Sequence, residues 1–185
     1  MDSPAILEYD TRPFARVTQG QVLDSDWARF CALAVIQHSE SPDAFIYHCP
    51  MVYNYCRQDE PAEELRRCLA AVREQFGSDI ARILVTGCSI RSKDPREEQL
   101  WTINRRVKFL RFLLEGLNID ARQLEIRWGG VDQETHVVYD SGSGTYDLES
   151  RPHVMPKPIT PVLRTSEADY IAATTAPAHS RAILQ

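Results

Sequence analysis

The segment spanning residues 82–130 limits the possible folds most, because it has the pattern of a strand, a loop, a long helix, a tight turn and a second strand. Its apolar start has the length of a strand and ends at Gly87. Residues 94–97 (DPRE) are typical of a helix start, with a carboxylate cap followed by proline. Asn118 favours the left-handed conformation that ends a helix, and residues 124–128 form the returning strand. This pattern predicts one crossover unit of an α/β layer.

The helix predicted over residues 97–117 carries two apolar rows. The main row steps by three and four residues, as a core-facing stripe does: Leu100, Ile103, Val107, Leu110, Leu114 and Leu117. We therefore expect Val107→Asp to unfold the domain, since it would place a charge in the core. The second row lies off this stripe: Trp101, Phe109, Phe112 and Leu113. It either widens the core face or, as we hypothesise for Trp101, Phe109 and Phe112, binds a partner.

The rest of the chain adds elements to the same layer. Residues 25–37 predict a helix, and residues 45–56 predict a strand that Pro50 interrupts. A second helix is expected over residues 63–76, and a short strand over residues 136–139. The predicted fold class is α/β: a two-layer sandwich in which the helices pack on a small mixed sheet of β-α-β-α-β order.

Composition divides the chain into three parts. Residues 1–24 are expected to form an irregular arm, residues 25–140 a single α/β domain, and residues 141–185 an extended, proline-rich arm. The last arm has little periodicity, so it buries too little apolar surface to fold alone. We expect it to bind a neighbouring subunit through Pro156, Pro158 and Pro161, unless it wraps back over its own domain.

Charge and hydropathy exclude several classes of function. The net charge is −5, so we expect no nucleic-acid partner. No apolar run approaches the roughly 20 residues that cross a bilayer, so we expect no membrane span, and the N-terminus lacks the pattern of an export signal. The five cysteines are not closely paired and fit a reducing compartment, with one disulfide between Cys49 and Cys56 left open.

The sequence contains no recognisable catalytic set. Residues 47–49 with Cys56 match no zinc or iron–sulfur spacing, so we expect no metal and no cofactor. Residues 91–111 hold seven basic and three acidic side chains, which favours either a solvated helix face or an anionic partner. Residues 87–89 (GCS) follow a strand and form either an anion-binding nest or an ordinary turn.

Residues 45–130 resemble the OmpA-like, peptidoglycan-associating domain in the order and spacing of their elements. The counterparts include the strand that ends at Gly87 and the long helix with Arg105 or Arg106 in its first turns. A helix arginine holds the ligand carboxylate in that family. The resemblance therefore implies that Gly87, Arg105 and Arg106 are the ligand-binding residues. The family's aspartate after the strand glycine is absent, and Cys88-Ser89-Ile90 stands there. The resemblance therefore implies a degenerate domain that has lost peptidoglycan binding.

A second, local resemblance covers residues 83–88 (ILVTGC) and residues 104–128. These stretches are similar to the delta subunit of methyl-viologen-reducing hydrogenase, a [2Fe–2S] electron-transfer partner of heterodisulfide reductase. The cysteines that hold the cluster in that family, an early Cys-x-x-Cys and a later Asp-Cys-His, have no counterpart here. This resemblance implies a cluster-free accessory subunit of a redox complex.

These patterns predict a non-catalytic structural subunit of a larger multiprotein assembly, bound to its neighbours through the C-terminal arm and the long helix. The OmpA-like resemblance implies a bacterial envelope or secretion complex. An accessory subunit of a hydrogenase or heterodisulfide-reductase type of complex is the alternative. The compartment stays open between the cytoplasm and the envelope.

Overall fold

A computed structural model of the chain describes residues 5–6, 13–49, 60–92 and 94–153. Within these ranges the strands are β1 (Ala5–Ile6), β2 (Phe14–Val17), β3 (Val22–Asp24), β4 (Ala32–His38), β5 (Ala44–Cys49), β6 (Ile80–Gly87), β7 (Leu124–Trp128), β8 (Gln133–Asp140) and β9 (Thr145–Pro152). The helices are α1 (Glu63–Phe76) and α2 (Arg96–Leu117), and one 3-10 turn covers Ala121–Gln123.

The strands form two sheets. The larger sheet has five strands in the order β2-β5-β4-β6-β7, in which β6 and β7 are parallel and all other neighbours are antiparallel. The smaller sheet has the order β1-β3-β8-β9, and its long β8–β9 hairpin is antiparallel. The chain therefore has a mixed α/β fold, which confirms the predicted class.

Both faces of the five-stranded sheet are buried. The face toward the helices contributes Ile36, Tyr47, Ile83 and Val85 to a core that α1 and α2 complete. The opposite face contributes Leu33, Val35, Ile46 and Leu84 to a second core, together with Val137 and Tyr139 of β8. Strands covered on both faces are apolar throughout rather than alternating.

The predicted helix over residues 25–37 is wrong. The second half of that range is β4, whose first six residues (ALAVIQ) are all buried. A short apolar run of this kind fits a helix or a doubly buried strand equally well by periodicity. β4 is a central strand because β5 and β6 pair with both of its edges and satisfy its backbone.

The other predicted elements are found near their expected positions. The predicted helix over residues 63–76 is α1, and α2 ends at Asn118 with φ 52° and ψ 49°. The predicted strand at residues 136–139 is the middle of the longer β8. The predicted continuation of β5 beyond Pro50 lies outside the described residues.

The predicted two-layer arrangement of β-α-β-α-β order does not include the smaller sheet. This sheet recruits strands from both sides of residues 25–140, namely β1 and β3 before them and β9 after them. The predicted arm contacts at Pro156, Pro158 and Pro161 lie outside the described residues. Within the described parts of the chain, neither helix combines the length and hydropathy that a bilayer crossing needs.

Candidate functional site

The turn that follows β6 requires a glycine. Gly87 has φ +77°, and a Cβ atom there would lie 2.4 Å from the carbonyl oxygen of Cys31. Cys88 is also left-handed, with φ +49°, and its N–H donates to the same carbonyl at 2.7 Å. Two successive left-handed residues turn the chain sharply at the end of the strand. Gly87, a predicted ligand-binding residue, thus permits close approach of two backbone segments.

The Arg106 side chain ties two loops together. Its Nε and Nη2 atoms donate to the carbonyl oxygen of Cys88 at 3.0 and 2.6 Å, and Nη2 also donates to that of Gly129 at 2.9 Å. The guanidinium carbon lies 5.1 Å from the ring centroid of Trp128. The Arg106 guanidinium therefore donates to backbone carbonyls of the protein, whereas the sequence predicted that it binds a ligand carboxylate. Arg105, the other predicted ligand-binding arginine, lines the cavity described below.

Burial divides both apolar rows of α2, and Leu117 at the end of the main row is buried as predicted. Phe109 and Phe112, predicted to bind a partner, are 1% and 4% exposed, and Phe109 stacks on Tyr47 with 6.3 Å between ring centroids. The row predicted as core has three side chains that are 43–60% exposed, here named the outer row: Leu100, Ile103 and Val107. The prediction that Val107 is buried is wrong, because the aromatic row fills the space over the sheet. Trp101, also predicted to bind a partner, is 45% exposed.

A cavity of about 390 Å³ lies between the loop that leads into β4, the turn after β6 and the first half of α2. The loop contributes aromatic rings and a thiol, β5 an imidazole, the turn a hydroxyl, and α2 mixed charges: Trp27, Phe30, Cys31, His48, Ser89, Glu98 and Arg105. Arg91 covers the Phe30 ring, with its guanidinium carbon 3.8 Å from the centroid. A partly aromatic cleft of this size with converging polar groups is the usual form of a small-molecule site.

The loop leading into β4 is held rigidly where it begins, at Ser25. The Ser25 N–H donates to the carbonyl oxygen of Val137 at 2.9 Å, and the Ser25 Oγ accepts from the Val137 N–H at 2.9 Å. The next residue, Asp26, is left-handed with φ +57°, and its N–H donates to Asp24 Oδ1 at 2.7 Å. The Ser25 carbonyl therefore has a fixed direction.

That carbonyl orients His48 of β5. The Nδ1 atom of His48 lies 3.0 Å from the carbonyl oxygen of Ser25, and the side chain is buried. A carbonyl oxygen only accepts, so Nδ1 carries the hydrogen, and Nε2 of the neutral ring holds the basic lone pair. Burial lowers the pKa of His48, although the hydrogen bond to Ser25 opposes this effect. The ring is consequently neutral at pH 7.

Cys31 and His48 share one face of the five-stranded sheet. Cys31 packs against the core on the side of the smaller sheet. His48 is the register partner of Leu33, which belongs to that same core. Cys31, which directly precedes β4, therefore lies on the same side of the sheet as His48 of β5, and both side chains line the cavity. By contrast, burial raises the pKa of the Cys68 thiol in the helix-side core well above its usual value.

Two buried hydroxyls lie beside Gly129, next to this cavity. A Cβ atom on Gly129 would lie 2.3 Å from Ser89 Oγ and 3.2 Å from Thr135 Oγ1. Ser89 is 2% exposed, and its hydroxyl has no hydrogen-bond partner among the described residues. An unsatisfied buried hydroxyl costs free energy, so its position at a cavity wall points to a ligand that satisfies it.

No sequence pattern brings these residues together. His48 belongs to a pattern that only weakly suggests metal binding, and Ser25 and Cys31 fall in a range predicted as a helix. Among the described residues, no three His, Cys, Asp or Glu side chains are grouped so as to hold a metal ion. Only the pairing of β4 with β5 and β6 brings Cys31, His48 and Ser89 to one cavity, and no local pattern encodes that pairing.

Comparisons with known proteins place this chain in no family. No family model matches it, and no curated protein matches it closely. Among solved structures, it is similar to the C-terminal domain of CNFy from Yersinia pseudotuberculosis, with 9% sequence identity and a TM-score of 0.34. That match covers 70% of this chain and 46% of the other chain. At this TM-score the likeness supports no conclusion about fold or function.

Proposed function

We propose that this domain is a protein-binding subunit of a larger assembly and that it binds its partner through the outer row of α2. The observation that carries the proposal is the exposure of Leu100, Ile103 and Val107, at 50%, 43% and 60%. These residues are three and four positions apart, so they lie on one face of the helix. Helix faces of this kind fit an apolar groove or a second helix.

A further exposed apolar side chain lies at the edge of the sheet. Ile126 of β7 is 45% exposed, and its register partner Val85 belongs to the helix-side core. Ile126 therefore lies on the same side of the sheet as α2. β7 is an edge strand of the five-stranded sheet. Exposed apolar side chains on a helix and on the neighbouring sheet edge are typical of a protein contact surface.

Basic side chains flank both ends of the outer row. Arg96 stands four residues before Leu100, and Arg111 stands four residues after Val107. Arg111 is 44% exposed and pairs with Glu115 at 3.9 Å, an exposed ion pair of the kind that contributes little to stability. The partner that fits this surface has an apolar contact stripe with acidic side chains at its ends. Charge complementarity of this kind supplies register and speeds association.

Site-specific photocrosslinking in the native cell tests this proposal. A photoreactive residue at position 103 or 107 should crosslink one acidic-flanked protein, whereas the same residue at the exposed Ala70 of α1 should not. With that protein purified, Val107→Asp should weaken binding at least about tenfold, or 1.4 kcal/mol. Ala70→Asp, a matched change on another exposed helix face, should leave the affinity unchanged.

Two results would contradict the proposal. One is equal crosslinking from positions 70 and 107. The other is a purified complex whose affinity survives Val107→Asp. A second copy of this chain as the crosslinked partner would instead make the assembly a homo-oligomer, which analytical ultracentrifugation of wild type and Val107→Asp would distinguish.

A further inference from the structure

We propose that Cys31 and His48 form a thiol–imidazole pair that accepts acyl groups from amides or esters bound in the cavity. The roles are a nucleophilic sulfur at Cys31, a general base at His48 Nε2, and an orienting acceptor at the Ser25 carbonyl. This inference is independent of the outer row of α2. It rests on the way the cavity is built.

The position of Cys31 suits a nucleophile. It precedes β4 directly, at the cavity wall, and among the four described free cysteines it is the one that is not buried. Its carbonyl oxygen is fixed by the N–H of Cys88 at 2.7 Å, so the backbone beneath the thiol is rigid. A nucleophile held by rigid backbone and open to a cavity meets the geometric need of covalent catalysis.

The position of His48 suits a base. A neutral imidazole whose Nδ1 hydrogen is given to a fixed acceptor presents Nε2 for proton transfer, which is the arrangement that activates nucleophilic side chains. Here the fixed acceptor is a backbone carbonyl instead of a carboxylate. Because Ser25 is itself bound to β8 through Val137, the imidazole has little freedom to turn away.

Ser89 supplies the second, independent indication of a ligand. Its hydroxyl is buried at the cavity wall and has no hydrogen-bond partner among the described residues. A hydroxyl in that state can donate to the carbonyl oxygen of a bound acyl group and to the negative charge that develops on it. The cavity thus combines a thiol, a base and a hydrogen-bond donor, together with the rings of Trp27 and Phe30 for an apolar substrate part.

The reaction balances without any further cofactor. Cys31 Sγ attacks the carbonyl carbon and forms a C–S bond, while the thiol proton passes to His48 Nε2. The C–N or C–O bond of the substrate then breaks, and the leaving amine or alcohol takes that proton. Water attacks the thioester, gives one proton to His48, and releases a carboxylic acid as the proton returns to the Cys31 sulfur.

Acylation by p-nitrophenyl acetate, an activated ester, tests this inference. Peptide mass mapping should find the acetyl adduct on Cys31 and not on the buried Cys68, and Cys31→Ala should abolish the burst of p-nitrophenolate. His48→Gln should slow acylation by about 100-fold, as the loss of a general base does. The matched control is His38→Gln, because His38 lies outside the cavity and should leave the rate unchanged.

A folded His48→Gln variant that acylates at the wild-type rate would overturn the inference, and so would an adduct spread over all thiols. If His48→Gln does not fold, Ser89→Ala decides. This variant removes a hydroxyl without a described partner, so it should fold normally and acylate about 100-fold more slowly. An unchanged rate in folded Ser89→Ala, together with an unfolded His48→Gln, would reduce the cavity to a structural void.

Discussion

The inner and outer sides of α2 are both apolar, but only the inner side is needed by the fold. Phe109, Phe112 and Leu113 are at most 4% exposed, whereas the outer row is 43–60% exposed. The inner side also approaches α1 closely, since a Cβ atom on Gly116 would lie 2.5 Å from the Leu69 side chain of α1. Burial, rather than apolar character, therefore separates residues that stabilise this domain from residues that remain available to a partner.

The largest effect should come from the inner side. Phe109→Ala removes a ring that stacks on Tyr47 in the helix-side core, and the cavity left behind should lower the free energy of unfolding by about 3–5 kcal/mol. Leu100→Ala in the outer row should change it by less than about 1 kcal/mol. Urea denaturation of both variants measures this difference, and equal losses would remove the distinction between the two sides.

An intermediate effect is expected at Arg106, which projects from the helix toward the loops. Arg106→Met keeps most of the side chain's length but leaves the carbonyls of Cys88 and Gly129 without their guanidinium donor. The loss of these hydrogen bonds should lower the free energy of unfolding by about 1–3 kcal/mol. Arg111→Met on the exposed side should cost less than about 0.5 kcal/mol. If Arg106→Met is as stable as wild type, the Arg106 hydrogen bonds do not stabilise the fold, and Arg106 becomes a candidate for ligand binding again.

A smaller effect should appear as pH dependence at His48. Burial lowers its pKa in the folded state below the value near 6.5 of the unfolded chain, so the unfolded chain binds more protons between these two values. Stability is then complete above about pH 6.5 and falls by up to about 1.4 kcal/mol per pH unit below it. His48→Gln should flatten this slope between pH 7 and 5.5. If the slope persists in His48→Gln, another titrating group causes the pH dependence of stability.

The sequence predicted the helices and most strands of the larger sheet, because apolar spacing and helix-ending residues are local signals. The carboxylate cap predicted at Asp94 is not formed, since α2 begins at Arg96 with Pro95 as its N-cap residue and no side-chain cap. Asn118 ends α2 in the left-handed conformation that its type favours, and α1 spans Glu63–Phe76 as its apolar spacing indicates. The sequence did not predict β4, whose continuous apolar run fits two structures. It also did not predict which row of α2 is buried, since that depends on the aromatic side chains that fit over the sheet. The cavity residues come together only through strand pairing.

The unfolding free energy of Val107→Asp, measured by urea denaturation beside Leu113→Asp, tests most directly whether the outer row lies outside the core. The two changes place the same charge at an exposed and at a buried position of one helix. Val107→Asp should stay within about 0.5 kcal/mol of wild type, whereas Leu113→Asp should fail to fold. A loss of more than about 2 kcal/mol in Val107→Asp would show that the outer row belongs to the core, and it would remove the surface on which the proposed partner binds.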